Sequence, residues 1–375
     1  MDNVVGISYD NLFDGIYKNL PVLVTGHTGF KGSWLTLVLS KLGADVLGYS
    51  LPPPSNPNHF ELISNNLRLN SVIGDIRDRK YFMDIVEQFQ PRIIFHLAAQ
   101  PYVRKSYIDP VYTYETNVIG TLNVLEAVRQ VKSIEAAVII TTDKCYENKE
   151  WLWSYREIDA LGGKDPYSSS KACAEILTRS YRESFFPLDM YEISHNKLVA
   201  TCRAGNVIGG GDWGEDRLIP DIVRAINSKD RVLYIRNPEA IRPWQHVLDV
   251  TFGYLLLGQK LLEGKKEFAD AWNFSIQDQD VKVMEIVDLF RKFWTDFQIK
   301  ITNNEKFLEH KILKLDSSKA RILLGWNPVW NISEAIRRTL EWYRAYYENG
   351  DVLSEYDLEA YVIKLMKGGD RYEKS

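Results

Sequence analysis

The sequence predicts an α/β protein built on a doubly wound parallel sheet, and three observations lead to that prediction. Short β-branched runs alternate with stretches of helical spacing through the first 205 residues, which indicates successive βαβ units. The first run ends in a glycine-rich turn, and after residue 205 loop-rich segments with scattered tryptophans replace the alternation. We therefore expect a sheet domain over 1–205, with its core from about residue 20, and a smaller C-terminal substrate-binding domain over 206–375. Some segments of the second domain should return to the sheet.

The first two strands and the helix between them are predicted from residues 21–50. PVLVTG, residues 21–26, is a β-branched run ended by glycine, typical of a strand that is buried on both faces. The apolar spacing of 29–42 is helical and stops at Gly43, a favourable C-terminal cap. Residues 44–50 predict the second strand, and the three prolines that follow exclude regular structure.

Three further strands are predicted before residue 150, at 71–75, 92–99 and 135–143. Helical spacing covers 78–89 and 111–131 between them. Because parallel strands need crossovers of this kind, we expect the five strands to lie parallel with helices on both faces of the sheet.

The composition is that of an ordinary globular protein. Of the 375 residues 45% are apolar and 26% are charged, and the formal net charge is −4, which excludes disordered and collagen-like classes. The chain has no basic block that would favour nucleic acid, no apolar run long enough to span a membrane, and no visible signal peptide. We therefore expect a cytoplasmic protein that binds neither nucleic acid nor membranes.

Neither a metal site nor a disulfide framework is predicted. The three cysteines, Cys145, Cys173 and Cys202, lie far apart in the sequence, and the six histidines show no ligand spacing. The tryptophans at 272, 294, 326, 330 and 342 are expected in the core, where large apolar rings usually lie.

The glycine-rich turn TGHTGFKG, residues 25–32, predicts a dinucleotide site. Gly26, Gly29 and Gly32 lie where the first strand becomes the first helix, so a pyrophosphate can approach the backbone and the free N–H groups of the helix. The spacing departs from the usual G-x-G-x-x-G pattern. A glycine turn with only a structural role remains the alternative.

The end of the second strand favours NAD over NADP. The acidic residue that would bind the ribose is not evident, because Asp45 lies at the beginning of this strand rather than at its end. The strand ends with Tyr49, Ser50 and Leu51, and no Arg or Lys is available there for a 2′-phosphate.

Tyr167 and Lys171 predict an acid–base pair. They lie four residues apart after Pro166, so on a helix their side chains share one face. An ammonium beside a phenol stabilises the phenolate, which can then exchange a proton with an alcohol while hydride moves. A surface helix with an ordinary Tyr and Lys is the alternative interpretation.

Together these segments resemble the extended short-chain dehydrogenase/reductase family, along essentially the whole chain. The resemblance is carried by TGHTGFKG, HLAA, NVIGTLNVLEA and YSSSK. TTDKCYENKEW, RAGNVIGGGDW and IRPWQHV resemble the branch of that family that dehydrates CDP-glucose. The resemblance implies a Rossmann-type sheet, a nucleotide-sugar substrate and one NAD retained through turnover. It also implies a homodimer or dimer of dimers, paired through the helices that hold Asn117 and Tyr167.

The resemblance further assigns residues to the two ligands. The expected cofactor contacts are Gly26, His27, Thr28, Gly29, Phe30, Lys31, Gly32, Asp75, Ile76, Leu97, Ala98, Ala99, Asn117, Tyr167 and Lys171. The expected substrate contacts are Asn206, Arg217, Leu218, Ile219, Arg242 and His246. Arg242 is the expected diphosphate ligand, because a guanidinium fork meets two phosphate oxygens at once.

The end of the fifth strand carries the remaining catalytic candidates, Thr142, Asp143 and Lys144. By the resemblance, Thr142 bonds the sugar O4 beside Tyr167. Dehydration also needs an acid for the C6 hydroxyl and a base for the C5 proton, and Asp143 and Lys144 offer one candidate for each. Lys144 acts either as that base, which requires it to be neutral, or electrostatically on the developing enolate. A loop role for this pair is the alternative.

Three other functions stay open at this point. A dehydratase for another nucleotide sugar would share all of these motifs. A nucleotide-sugar 4-epimerase would need no acid for a C6 hydroxyl, and Asp143 and Lys144 argue against it. A catalytically silent NAD-sensing regulator would be expected to lack Tyr167 or Lys171, and both are present.

Overall fold

A seven-stranded parallel sheet forms the centre of the computed structural model, which describes residues 8–276, 281–302 and 312–369. The strands are β1 Pro21–Thr25, β2 Asp45–Ser50, β3 Leu69–Ile73, β4 Ile93–His96, β5 Ala136–Ile140, β6 Leu198–Ala204, β7 Val207–Ile208, β8 Val232–Ile235, β9 Gln245–His246, β10 Ala271–Phe274 and β11 Gln298–Ile301. The helices are α1 Phe30–Lys41, α2 His59–Ile63, α3 Arg79–Phe89, α4 Val103–Ile108, α5 Pro110–Tyr114, α6 Gly120–Gln130, α7 Pro166–Ser184, α8 Leu218–Asn227, α9 Val247–Leu262, α10 Val283–Phe293, α11 Ile332–Asn349 and α12 Ser354–Gly369.

The strand order in the sheet is β3-β2-β1-β4-β5-β6-β10, and every pairing is parallel. This order confirms the predicted doubly wound fold, in which the chain reverses direction across the sheet between β1 and β4. Each predicted strand is present. Four are shorter than predicted, and β3 has the predicted length but begins and ends two residues earlier. β4, for example, ends at His96, because the chain leaves the sheet there and the Leu97 N–H bonds the carbonyl of Thr25.

Both faces of the sheet are covered by apolar helices. On one face α1, α9 and α12 pack on β1, β4 and β5 around side chains such as Trp34 and Leu255. On the other face α3 and α6 pack around Phe82 and Leu125. Segments after residue 205 also belong to the sheet layer, because α9 covers β5 and β6, and β10 extends the sheet beside β6. The division into two domains at residue 205 stays a prediction.

A second, smaller core lies over the carboxyl end of the sheet. β8 and β11 pair in parallel, and α8, α10 and α11 pack around Ile222, Phe290, Ile336 and Leu340. β7 pairs with β9 at the junction of this unit with the sheet. Loops that project from this end of an open sheet form the usual ligand crevice.

The C-terminal helix α12 is tied to the sheet domain through buried polar groups. The Asp249 carboxylate, at the start of α9, accepts hydrogen bonds from the Val329 N–H at 2.7 Å and the Tyr361 hydroxyl at 2.9 Å. Burial raises the pKa of Asp249 to about 7. His59 bridges Ser33 of α1 and Ser354 of α12, at 2.7 Å on each side. These contacts fix α12 on the sheet.

The tryptophan prediction holds for four of its five rings. Those at 272, 326, 330 and 342 are buried, whereas Trp294 is only partly buried at the edge of the smaller core. Within the described ranges no helix is long and apolar enough to cross a membrane. The same residues contain no group of three or more His, Cys, Asp or Glu that could hold a metal ion.

Candidate active site

A cavity of about 350 Å³ opens between the carboxyl end of the sheet and the smaller core. The residue types that line its two ends differ. Thr142, Asp143 and Tyr167 lie at the sheet end, and apolar side chains of α8 and β8, including Ile219 and Leu233, lie at the other. Besides Asp143, charged residues throughout the lining are Lys31, Arg104, Lys144, Asp165, Asp212, Asp216, Arg217, Asp221, Arg236 and Arg242. This combination suits an elongated ligand with a polar reacting end, an anionic middle and a flat apolar end.

The glycine turn fits a pyrophosphate. Gly26 has φ of 76°, and a Cβ on it would lie 2.7 Å from the Ala98 nitrogen. A Cβ on Gly32 would lie 2.1 Å from the Gly26 carbonyl oxygen, so no larger residue fits either position. Gly29 caps α1 without any side-chain hydrogen bond. The first N–H groups of α1 therefore remain available to an anion.

His27 and Thr28 hold this turn against the neighbouring strands. The His27 Nε2 bonds the Ser71 hydroxyl at 2.7 Å, and burial lowers the pKa of His27 to about 4, so the ring is neutral. The Thr28 hydroxyl bonds the Ser50 hydroxyl and donates to the Leu51 carbonyl, both at 2.8 Å. Both side chains thus fix the turn, and neither lines the cavity.

Lys31, by contrast, projects from the glycine turn into the cavity together with Phe30. Burial and the nearby Arg217 guanidinium lower the pKa of Lys31 to about 8, against the opposing effect of Asp143. Sequence reasoning had assigned Lys31 only to the cofactor. Its charge also interacts with that of Asp143, at the sheet end of the cavity.

The remaining predicted cofactor residues lie at the ends of β3 and β4. The Asp75 carboxylate pairs with Arg77 at 2.7 Å, and Ile76 is buried. Leu97, Ala98 and Ala99 follow β4, and the Ala98 N–H donates to the Thr25 hydroxyl at 3.2 Å.

Asn117 is fully bonded within the protein. Its amide donates to the Gln100 carbonyl at 3.1 Å and to the Ser170 hydroxyl at 2.8 Å, and its carbonyl oxygen accepts the Gln100 N–H at 2.8 Å. It therefore ties the loop after β4 to the helix of Tyr167.

Tyr167 and Lys171 lie on one face of α7, as the spacing predicts, and both are buried. The expected lowering of the phenol pKa is not seen. Burial raises the pKa of Tyr167, and the Thr142 hydroxyl opposes that only in part. The Lys171 ammonium donates to the Ile140 carbonyl at 3.3 Å, and burial together with Lys31 lowers its pKa to about 7. The predicted shared helix face is present, but burial has the largest effect on the pKa of both residues.

Thr142, Asp143 and Lys144 follow β5 and line the cavity beside Tyr167. The Thr142 hydroxyl donates to the Asp143 carboxylate at 3.0 Å. Burial raises the pKa of Asp143, although Lys144, Thr142 and Arg242 act in the opposite direction. The second carboxylate oxygen, Oδ2, is buried and has no hydrogen-bond partner among the residues that the structure describes. A proton on this carboxyl would be available for donation into the cavity.

Five of the six predicted substrate residues line the cavity; His246 does not. Arg217 pairs with Asp212 at 2.8 Å and lies over the Tyr102 ring, and Arg242 donates to the Ile241 carbonyl at 2.9 Å. The other three that line it are Asn206, Leu218 and Ile219.

His246 lies in the core instead. It is fully buried, its ring centroid is 4.5 Å from that of Trp330, and its Nδ1 accepts the Leu248 N–H at the start of α9. The structure therefore separates His246 from the other predicted substrate ligands.

Sequence reasoning missed a second pair of arginines in the cavity wall. Arg104 of α4 bonds the Asp216 carboxylate at 2.9 Å, and Arg236 lies 3.8 Å from the same carboxylate. The two guanidiniums therefore converge from different parts of the chain. The signal for Arg104 was its place just after the fourth strand, at the switch point of the sheet; Arg236 carried no comparable signal.

This sheet order, glycine turn and Tyr–Lys helix define a nucleotide-binding enzyme with the short-chain dehydrogenase/reductase fold. The sequence family described as GDP-mannose 4,6 dehydratase matches residues 23–339. The chain belongs to this family. It is accordingly an enzyme of the hydro-lyase type, a sugar-nucleotide 4,6-dehydratase.

Among curated relatives, the chain is similar to the CDP-glucose 4,6-dehydratase of Salmonella typhimurium. The two are 49% identical over 334 residues, which cover 88% of this chain and 92% of the relative. The dTDP-glucose 4,6-dehydratase of the same organism is 28% identical, with 87% of this chain and 93% of that relative covered.

Solved structures share the fold. An epimerase of Methanothermobacter thermautotrophicus has a TM-score of 0.76 at 24% identity, covering 91% of this chain and 96% of that chain. A dTDP-glucose 4,6-dehydratase of Streptomyces venezuelae, solved with NAD bound, has a TM-score of 0.73 at 23% identity, covering 88% and 97%. At these identities the likeness concerns the fold alone.

Proposed function

We propose that this enzyme converts CDP-D-glucose to CDP-4-dehydro-6-deoxy-D-glucose with one bound NAD, moving hydride internally from C4 to C6. The observation that carries the proposal is the placement of Tyr167, Thr142 and the buried Asp143 at one end of a single cavity. The 49% identity to a CDP-glucose 4,6-dehydratase supports the choice of nucleotide and sugar. A 4,6-dehydratase for another nucleotide sugar is the nearest alternative.

In the first step Tyr167 accepts the O4 proton while the sugar is oxidised at C4. It does so as the phenolate, which the ammonium of Lys171 on the same face of α7 stabilises. The Thr142 hydroxyl, beside Tyr167, holds O4 in place. NAD bound on the glycine turn would supply the hydride acceptor for C4 and later the hydride donor for C6. The 4-ketone then acidifies the C5 proton, which prepares the loss of water.

In the second step Asp143 protonates the departing C6 hydroxyl. Burial raises the pKa of this carboxyl, which keeps a proton available nearer to neutral pH. Lys144 also lines the cavity. It either removes the C5 proton or stabilises the enolate by its charge while a water molecule or another group removes that proton. The atoms balance: the sugar loses one water, C6 gains the hydride that left C4, and C5 regains a proton.

The diphosphate would lie between the two ends of the cavity, and the base beyond it. Arg217 and Arg242 meet the phosphate oxygens, with Asn206 beside them. Leu218 and Ile219 offer apolar contacts to the nucleoside. Arg104 and Arg236 add positive charge to the same wall.

Substrate deuterated at C4 should give product with deuterium at C6, while C5 acquires solvent hydrogen. The reason is that a closed site keeps the transferred hydride from mixing with water. Mass spectrometry and proton NMR of the product locate the label. Deuterium returned to C4 would identify an epimerase, and consumption of added NAD in proportion to product would exclude internal transfer.

Parallel reactions with UDP-, dTDP- and GDP-glucose test the nucleotide.

The purified protein should carry nicotinamide cofactor, as NAD rather than NADP. The end of β2 offers the hydroxyl of Ser50, already bonded to Thr28, and no cation for a 2′-phosphate. Mass spectrometry of the cofactor released by denaturation is the measurement. Recovery of NADP would overturn this assignment.

We also propose a homodimer, or a dimer of such dimers, paired through α5, α7 and the π-helical segment Glu115–Ile119. Val111, Ile119 and Ile176 are exposed apolar residues on this face, 65%, 45% and 56% accessible. Light scattering should give at least twice the monomer mass, and Ile176→Glu should lower it. Ile322→Glu, at an exposed position elsewhere, is the matched control and should leave the mass unchanged.

A further inference from the structure

One face of α7 carries a third residue in line with the proposed catalytic pair. Tyr167, Lys171 and Glu175 succeed one another at intervals of four residues, so their side chains follow a single stripe of the helix. This stripe packs against β6, and the Lys171 ammonium bonds the carbonyl of Ile140 at the end of β5. Neither the mechanism above nor the sequence motifs use Glu175.

Glu175 is buried and bonded on every side. Its carboxylate accepts hydrogen bonds from the hydroxyl of Thr141, which precedes Thr142, and from the Thr201 hydroxyl at 2.8 Å. The Arg203 guanidinium donates to the same carboxylate at 2.8 Å, with both side chains at most 4% exposed. Burial alone would raise the pKa of Glu175, but Arg203 and the two hydroxyls outweigh it and hold the pKa below its usual value. Glu175 is therefore a fixed anion.

Arg203 is in turn held away from the cavity. It donates to the Tyr146 hydroxyl at 2.8 Å and to the Glu157 carbonyl at 3.1 Å, and its guanidinium carbon lies 5.0 Å from the centre of the Tyr146 ring. Tyr146 bonds Asn273 of β10 at 2.7 Å. The positive charge of the pair is thus anchored by Tyr146 and by the Glu157 carbonyl, outside the cavity lining.

We propose that Glu175 is a positioning residue of the catalytic centre: its fixed negative charge, one helical turn from Lys171, favours the ammonium form of that lysine, and its bond to Thr141 aligns the end of β5. This proposal rests on the proposed function, because that function gives Lys171 its role beside Tyr167. A buried ion pair of this kind is weak evidence for stability. Because Glu175 lies on the same stripe of α7 as Tyr167 and Lys171, it has a specific effect on the charge of Lys171.

The other groups around Lys171 do not supply this negative charge. Lys31 of α1 is a second cation and lowers the pKa of Lys171, whereas Glu175 acts to raise it. Cys145 adds only a minor effect in the same direction as Glu175, and its own thiol pKa is raised by burial. His96 of β4 is neutral, with a pKa lowered to about 3 by burial. Of the groups that shift the pKa of Lys171, Glu175 is the carboxylate.

The test measures the charge of Lys171 directly, in resting enzyme with its cofactor. Lysine labelled with ¹³C at Cε gives an NMR signal that follows each ammonium through its titration, and Lys171→Met identifies the signal of interest. In Glu175→Gln the midpoint of Lys171 should fall by about one pH unit, the low end of the effect of an adjacent opposite charge. The alkaline limb of the pH profile of kcat should move down equally, and KM should change little.

Glu175→Gln leaves Arg203 without its anion, so the double variant Glu175→Gln with Arg203→Met removes both charges and tolerates the loss better. It should fold and show the same lowered midpoint. Glu175→Asp restores the charge and should return the midpoint most of the way. The matched control Glu126→Gln alters another Glu–Arg pair, outside the cavity, and should leave Lys171 unchanged.

An unchanged Lys171 midpoint in a folded Glu175→Gln or double variant overturns the proposal, whatever happens to the rate. So does a loss of kcat that is equal at every pH. If the native enzyme turns over no nucleotide sugar, the proposed function fails, while the NMR titration still decides the role of Glu175.

Discussion

Tyr167→Phe is expected to lower kcat about 10²–10⁴-fold, the usual contribution of a general acid–base group. The substitution removes one hydroxyl, and the ring, 7% exposed, keeps its packing. Without the hydroxyl nothing accepts the O4 proton, so oxidation at C4 stops. The measurement is the initial rate of 4-keto product formation, with thermal unfolding to verify the fold.

Tyr181→Phe is the matched control for this substitution. Tyr181 lies on the same helix, and its hydroxyl bonds Glu126 at 2.8 Å outside the cavity. Its loss should cost about 1 kcal/mol of stability and leave kcat unchanged. Turnover by Tyr167→Phe within a few-fold of the native rate would show that another group takes the O4 proton.

Asp143→Asn should slow overall turnover by about 10²–10⁴-fold, through the elimination rather than the first oxidation. Asparagine has the same shape but no proton to give to the C6 hydroxyl. Oxidised sugar and reduced cofactor should therefore accumulate on the enzyme, and stopped-flow absorbance in the near-ultraviolet band of reduced nicotinamide would detect the latter.

The pH dependence of the native enzyme provides a second test of Asp143. Burial raises the pKa of this carboxyl, so its protonated form persists to higher pH than in a free aspartate. Elimination should slow as the pH rises through that pKa, and the Asn variant should lose this dependence. Asp221→Asn, in the opposite wall of the cavity, is the control and should accumulate no reduced cofactor. A variant Asp143→Asn that slows oxidation and elimination equally would contradict the assignment.

Local patterns were enough to predict five of the seven strands of the sheet, without β6 and β10, and several residues that line the cavity. β-branched runs, glycine turns and the four-residue spacing of Tyr167 and Lys171 each act over less than one element. They could not place β10, because AWNF is a short apolar run with no periodicity of its own. Its strand is defined by pairing with β6, which follows from tertiary structure alone.

Side-chain direction was the other limit. His246 lies in a motif that resembles a substrate segment, yet its ring turns into the core to meet Trp330, a contact distant in sequence. Lys31 was predicted from a backbone motif, whereas its side chain reaches the cavity. Charge states could not be predicted from the sequence either, because the raised pKa of Tyr167 comes from burial by the whole fold.

The place of β10 in the sheet also constrains how the chain can fold as it leaves the ribosome. β6 ends at Ala204, but its outer neighbour begins only at Ala271, and α9, which covers one face, lies between them. α8 and β8, which belong to the smaller core, are therefore synthesised before β10 can join the sheet. A nascent chain released after β6 would present an unpaired strand edge and bare apolar surface, the features that lead to aggregation. The last strand of the sheet is therefore synthesised after α8 and β8, and α10, β11 and α11 complete the smaller core later still.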